Sequence, residues 1–313
     1  MINKEIQFVG IQMIPLDQPV VLHVGGQTTG SEDHVVYLAA NRAGLRRSGY
    51  GLFCFDPIGT GADSLGDDMP APADDAGQIA TRAERLAKRF APDRRAGSQG
   101  FLVSAPDLAG PLPELLLGRF HPNVRMRARA LRLALGQPVQ RLVLAVQPYE
   151  TLFHSVWMTL ALDRRIEPFA DYAQALAAFQ GGWADLAAVL AEELEVRDLV
   201  VQATPASATQ MLTLLLPGVT LRQPVQPLPK PRVTQSAVAM SQRCIAQGTR
   251  LQPGQRDRLV AFHARQPQNS PDLGFSALAL ADLRGRYVAD LDMIAAMAGA
   301  HIVGAILPAL AAE

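Results

Sequence analysis

Val20-Val-Leu-His-Val-Gly-Gly-Gln-Thr-Thr-Gly-Ser-Glu-Asp33 is the stretch that decides how the chain is read. Residues 20–24 are largely apolar and rich in β-branched side chains, which predicts a buried strand. Gly25 and Gly26 open a tight turn, and periodic apolar positions then carry a helix to about Arg47. A strand, a glycine-rich turn and a helix N-terminus make a cradle for an anion: unpaired N–H groups of the first helical turn point at it, and the helix dipole favours negative charge there. A bare Gly-Gly pair fits a purely structural turn equally well. Glu32 and Asp33 put carboxylates into the same first turn, where they compete with an anion for its donors. Thr29-x-x-Glu32 also has the spacing of a capping box, contributing about 1 kcal/mol, and that reading stands ahead of a catalytic one for Glu32.

Outward from this stretch, strand and helix patterns alternate. Residues 5–14 alternate loosely, as an edge strand would, before Pro15 and Pro19. Residues 50–55 read as a second buried strand ending at Asp56-Pro57. Asp56 therefore falls where α/β folds place active residues, although an Asp before Pro is also a turn former. Residues 58–77 are rich in Gly, Pro and Asp without calcium-loop spacing, the composition of a solvated loop. A helix is expected around residues 79–90, a strand at 101–104 and a helix at 123–135. Arg125, Arg129 and Arg132 share one face of that last helix, either as a solvated stripe or as a surface that steers an anionic ligand.

The continuous apolar run at 141–146 is the clearest strand signal, of the kind found centrally in a parallel sheet. Helical patterns follow it and recur at 172–194, a strand is expected at 198–202, and a helix at 206–216. A proline-rich connector spans 222–232, and the chain from 236 onward is mainly helical. The expectation is a single α/β domain over 1–313: a parallel sheet flanked by helices in three layers, with a core of about 18–225 and a helical C-terminal extension of about 233–313.

Composition limits the function classes. The 313 residues are 49% hydrophobic, enough to bury a large core. Lys+Arg and Asp+Glu both number 29, so the charge balance gives no reason to expect nucleic acid or an anionic membrane as partner. No run approaches the ~18 apolar residues of a membrane span, and the opening Met-Ile-Asn-Lys-Glu-Ile lacks a secretory pattern, so a cytoplasmic protein is expected. Cys54 and Cys244 have no metal spacing and read as reduced packing residues; no metal is expected.

Three stretches carry a resemblance. Leu22-His-Val-Gly25, Gln27-Thr-Thr-Gly-Ser31 and Leu38-Ala-Ala-Asn-Arg-Ala-Gly-Leu45 resemble the opening of a bacterial sulfotransferase family, in which a strand leads into Gly-x-x-Lys-Thr-Gly-Thr and a helix with Leu-x-x-Asn-Arg-x-x-Leu. Gln147 and Ser155 stand where that family sets an Arg and, eight residues later, a Ser. Residues 275–291, with Phe275-Ser and Arg286-Tyr-x-x-Asp290, are similar to its closing stretch. The resemblance implies a P-loop-like sulfotransferase fold and 3′-phosphoadenosine 5′-phosphosulfate as donor. Gly25, Gly26, Gln27, Thr28, Thr29, Gly30 and Ser31 would then hold its 5′-phosphosulfate, and Gln147 and Ser155 its 3′-phosphate. It also implies a hydroxyl acceptor on a small molecule or glycan.

The chain departs from the pattern at both cations. Thr28 replaces the lysine of the turn and Gln147 the arginine, and each loss of a charge-assisted donor costs ~3 kcal/mol. Arg119, Arg125 or Arg164 could replace part of that charge. His23 and Asp56 are the candidates for a base, with His121, His154 and Asp107 nearby in the expected fold. No Ser-His-Asp order, HExxH spacing or Cys/His cluster points to another enzyme class. Two readings follow: a sulfotransferase with an impaired donor site, or a non-catalytic binding protein on the same scaffold.

Overall fold

The computed structural model of the chain describes residues 18–25, 31–55, 68–94, 99–228, 231–268 and 273–304. The edge strand expected at 5–14 lies outside these residues, as do Asp56 and residues 26–30 of the turn.

Six parallel strands form one sheet in the order β2-β3-β1-β4-β5-β6. They are β1 (Val20–Gly25), β2 (Tyr50–Cys54), β3 (Gly100–Ser104), β4 (Val139–Ala145), β5 (Asp198–Gln202) and β6 (Ala300–Val303). β1 is central, paired with β3 on one side and β4 on the other. All six of its residues are buried, as a strand covered on both faces requires.

Alternate residues of each strand feed two separate cores. Val20, Leu22 and Val24 face a large cluster. It is built with Phe53, Phe55, Phe90 and Phe101 and with the helices α3 (Ala76–Phe90), α5 (Val124–Leu135), α6 (Tyr149–Ala161), α8 (Trp183–Glu193) and α12 (Ala277–Ala295). The four phenylalanines meet edge to face, with ring centroids 4.7 to 6.2 Å apart. Val21 and, from neighbouring strands, Leu52, Leu102, Val143 and Val200 face the second cluster, covered by α1 (Ser31–Ala40), α2 (Arg42–Arg47) and α9 (Ala208–Leu215). Helices thus lie on both faces of the sheet, the three-layer α/β arrangement that the alternating pattern implies.

Three details differ from the sequence reading. The first helix is interrupted at Asn41, whose side-chain amide donates to Tyr37 O and Val225 O and accepts from Val225 N. The helical stretch at 172–194 is two helices, α7 (Phe169–Ala177) and α8, parted by Gly181 and Gly182. The C-terminal part holds α10 (Gln235–Ala246), α11 (Pro253–His263) and α12, then ends in β6, which pairs with β5 and rejoins the main sheet. Leu283, Leu291 and Ile294 of α12 are fully buried in the large core beneath the sheet. No helix among the described residues is long and apolar enough to cross a membrane.

Candidate functional site

The connection leaving β1 runs through α1 to β2 on one side of the sheet, whereas the connection leaving β4 runs through α6–α8 to β5 on the other. Adjacent strands whose connections diverge leave a crevice beyond their carboxyl ends, and that is where open α/β sheets bind ligands. Gly25 pairs in register with Ala145, so the two ends are level. Gly25 on one strand and Gln147, two residues beyond the other, border this crevice. Ser31 begins α1; Gly26, Gln27, Thr28, Thr29 and Gly30 lie outside the described residues.

The β4–α6 junction is held firmly. Trp183 Nε1 donates to Gln147 O at 2.9 Å, fixing the backbone at that corner. Tyr149, the first residue of α6, donates its hydroxyl to Asp290 of α12, and Trp183 N donates to Asp290 Oδ2 at 2.8 Å. Burial, with the Asp290 bond second, pushes the Tyr149 phenol well above its ordinary range, so it stays protonated. Glu150 is buried beside it and meets Arg284 of α12 at 3.0 Å. Arg286 donates to Phe179 O and Gly181 O and lies 3.7 Å from the Phe179 ring centroid. The C-terminal Arg286-Tyr-x-x-Asp290 stretch singled out in the sequence therefore clamps α12 onto α6 and α8. Ser155 lies on α6 two turns beyond this junction, half-buried.

His23 is enclosed rather than presented to solvent: it is 0% exposed and faces the α1 side of the sheet. Its Nδ1 is 2.9 Å from Ser104 Oγ across the β1–β3 pairing. The ring of His34, from the first turns of α1, meets it edge-on at 5.9 Å, and His34 is 3% exposed. Burial first, and His34 second, lower the His23 pKa to about 3. Burial also lowers that of His34, against the pull of Asp33. Both imidazoles are neutral at pH 7. Among the described residues, His23 Nε2 and His34 Nδ1 are buried without a hydrogen-bond partner.

The remaining candidates are engaged elsewhere. Burial, with Arg127 second, lowers the His121 pKa to about 3, and the ring packs edge-on against Phe120. His154 stacks on Trp157 and meets Phe169 edge-on. Asp107 accepts an Arg127 hydrogen bond at its backbone oxygen. Of the cations that could replace the missing charge, Arg119 pairs with Glu114 and Arg125 with Glu192 and Glu193. Arg132 pairs with Glu195, so two members of the arginine stripe bind the acidic end of α8 and its following turn. Arg164 lies past the far end of α6, which at 13 residues is ~20 Å long. No group of acidic, histidine or cysteine side chains among the described residues could hold a metal ion.

Sequence reasoning missed Ser104, His34, Trp183 and Arg284. A buried His34 at the start of α1 was visible as a histidine on the apolar face. The His23–Ser104 and Tyr149–Asp290 pairs, 81 and 141 residues apart, leave no local signal. No family model, no curated protein and no solved structure matches the chain.

Proposed function

We propose that the crevice beyond β1 and β4 is the ligand seat, and that it serves sulfuryl transfer from 3′-phosphoadenosine 5′-phosphosulfate to a hydroxyl acceptor with a donor site short of positive charge. The observation that supports this most is the in-register pairing of Gly25 with Ala145, which sets the end of the strand leading into the glycine-rich turn level with the end of the strand leading to Gln147. Thr28, Thr29 and Ser31 would supply hydroxyl donors at one end, and Gln147 and Ser155 at the other.

The residues at hand do not fit the charge of that donor. His23 and His34 are held neutral, and Arg284 is engaged by Glu150. Hydrogen-bond donors alone leave a dianion weakly held, since a charge-assisted bond is roughly twice as strong as a neutral one. This observation favours a second reading, a non-catalytic protein that binds a less charged ligand in the same crevice. No chemical step is therefore assigned to the nucleotide. Cys54 and Cys244 are thiols not joined in a disulfide, which suits a reducing, cytoplasmic compartment.

Calorimetric titration with 3′,5′-adenosine bisphosphate separates the readings. Micromolar binding that is lost in Ser155→Ala supports the transferase. Absence of heat at millimolar nucleotide supports the binding protein.

A further inference from the structure

A second cleft lies at the opposite end of α6 from Gln147, where the chain leaves α6 and meets α10 and α11. Its volume is about 380 Å³, within the ~300–1,000 Å³ typical of small-molecule sites. The walls are braced. Ser241 of α10 donates to Leu162 O at 2.8 Å, and Gln242 donates to Ala161 O and, at 2.7 Å, to Arg164 O, so α10 caps the C-terminal end of α6. Behind them, Leu162, Val238 and Val260 close a small hydrophobic core.

The lining combines apolar and charged side chains. Leu162, Ile245, Leu251 and Pro253 supply the apolar surface. Arg250, Arg256 and Asp163 supply the charge, two guanidiniums against one carboxylate. Asp163 is taken by Arg256. Arg250 is exposed and makes no hydrogen bond or ion pair among the described residues. A guanidinium with no partner, set beside an apolar wall, offers a planar fork for an oxyanion and a surface for whatever the oxyanion is attached to.

We propose that this cleft binds a small organic anion with an apolar body, its head on the Arg250 guanidinium and its body against Leu162, Ile245 and Leu251. The proposal is independent of the crevice at β1 and β4. Asp163 acts as a competitor, since it holds Arg256 away from the ligand; removing its charge frees a second guanidinium.

Phenyl phosphate, inorganic phosphate and phenol are the probes, titrated into the full chain with affinities from calorimetry and the binding position from amide chemical shifts. Phenyl phosphate should bind more tightly than either of the others, with shifts concentrated around 241–256 and 162–163. Arg250→Ala should weaken it about tenfold, and Asp163→Asn should strengthen it. Arg243→Ala, an exposed change on α10 outside the lining, should leave it unchanged. Thermal melts confirm that each variant is folded; Arg250→Gln serves in place of Arg250→Ala if that variant is not. Shifts centred elsewhere, unaltered affinity without Arg250, no gain in Asp163→Asn, or phenyl phosphate no better than inorganic phosphate each overturns the proposal.

Discussion

His23 of β1 and His34 of α1 pack edge to face, and burial keeps both neutral. That arrangement has a cost at low pH. The His23 pKa is 6.5 in the unfolded chain and about 3 in the folded one, and His121 behaves alike. As pH falls below 6.5 the unfolded chain takes up protons that the folded chain refuses, so stability drops progressively toward pH 3, by ~1 kcal/mol per pH unit for each group. Denaturant unfolding followed from pH 7 to pH 4 should show this loss, and His23→Gln should make the slope shallower. An unchanged slope would mean that His23 is protonated in the folded state. A second residue, Gly182, is required for space rather than for backbone freedom. A Cβ there would fall on the Asp290 carboxylate and 2.8 Å from Tyr149 Oη. Gly182→Ala should therefore destabilise by ~1–3 kcal/mol, read from denaturant midpoints.

At the scale of elements, legibility followed burial. β1 and β4 were readable because strands covered on both faces must be apolar throughout, and Val20–Val24 and Leu142–Val146 are. β6 was not: its four residues alternate between half-buried and exposed at the sheet edge and carry no run that outweighs the preceding helical pattern. The break between α1 and α2 was hidden for another reason. Local propensity runs straight through it, and the Asn41 bonds that accompany the stop reach Val225, 184 residues away. Asn41→Ala would leave the Val225 N–H and C=O without those partners. It should cost ~1–3 kcal/mol and raise amide exchange at Val225 while sparing the β1 amides. Protection at Val225 equal to that of the unmodified chain would show that the connector is held by other contacts.

Across the whole molecule, the sequence pointed to the architecture more securely than to the chemistry. The order β2-β3-β1-β4-β5-β6 places Gly25, the last residue of β1, at the divergence of two connections, and the alternation of strand and helix patterns was enough to anticipate a parallel sheet. The charge of the site was legible only as departures at Thr28 and Gln147. The Arg284–Glu150 pair beside Gln147 was not legible, because its members stand 134 residues apart. The same distant helix supplies Asp290 to Tyr149, so the corner bearing Gln147 depends on the C-terminal segment. Asp290→Ala should loosen that corner, seen as increased quenching of Trp183 fluorescence by acrylamide in a Trp157→Phe background. Unaltered quenching would mean that Tyr149 and Gln147 hold the corner alone.

The central claim is that the β1–α1 turn is an anion seat lacking its cations. Calorimetric titration of the Thr28→Lys, Gln147→Arg double variant with 3′,5′-adenosine bisphosphate tests it most directly. Two restored charge-assisted contacts should raise affinity at least a hundredfold over the unmodified chain. A folded double variant that gains no affinity would contradict the claim.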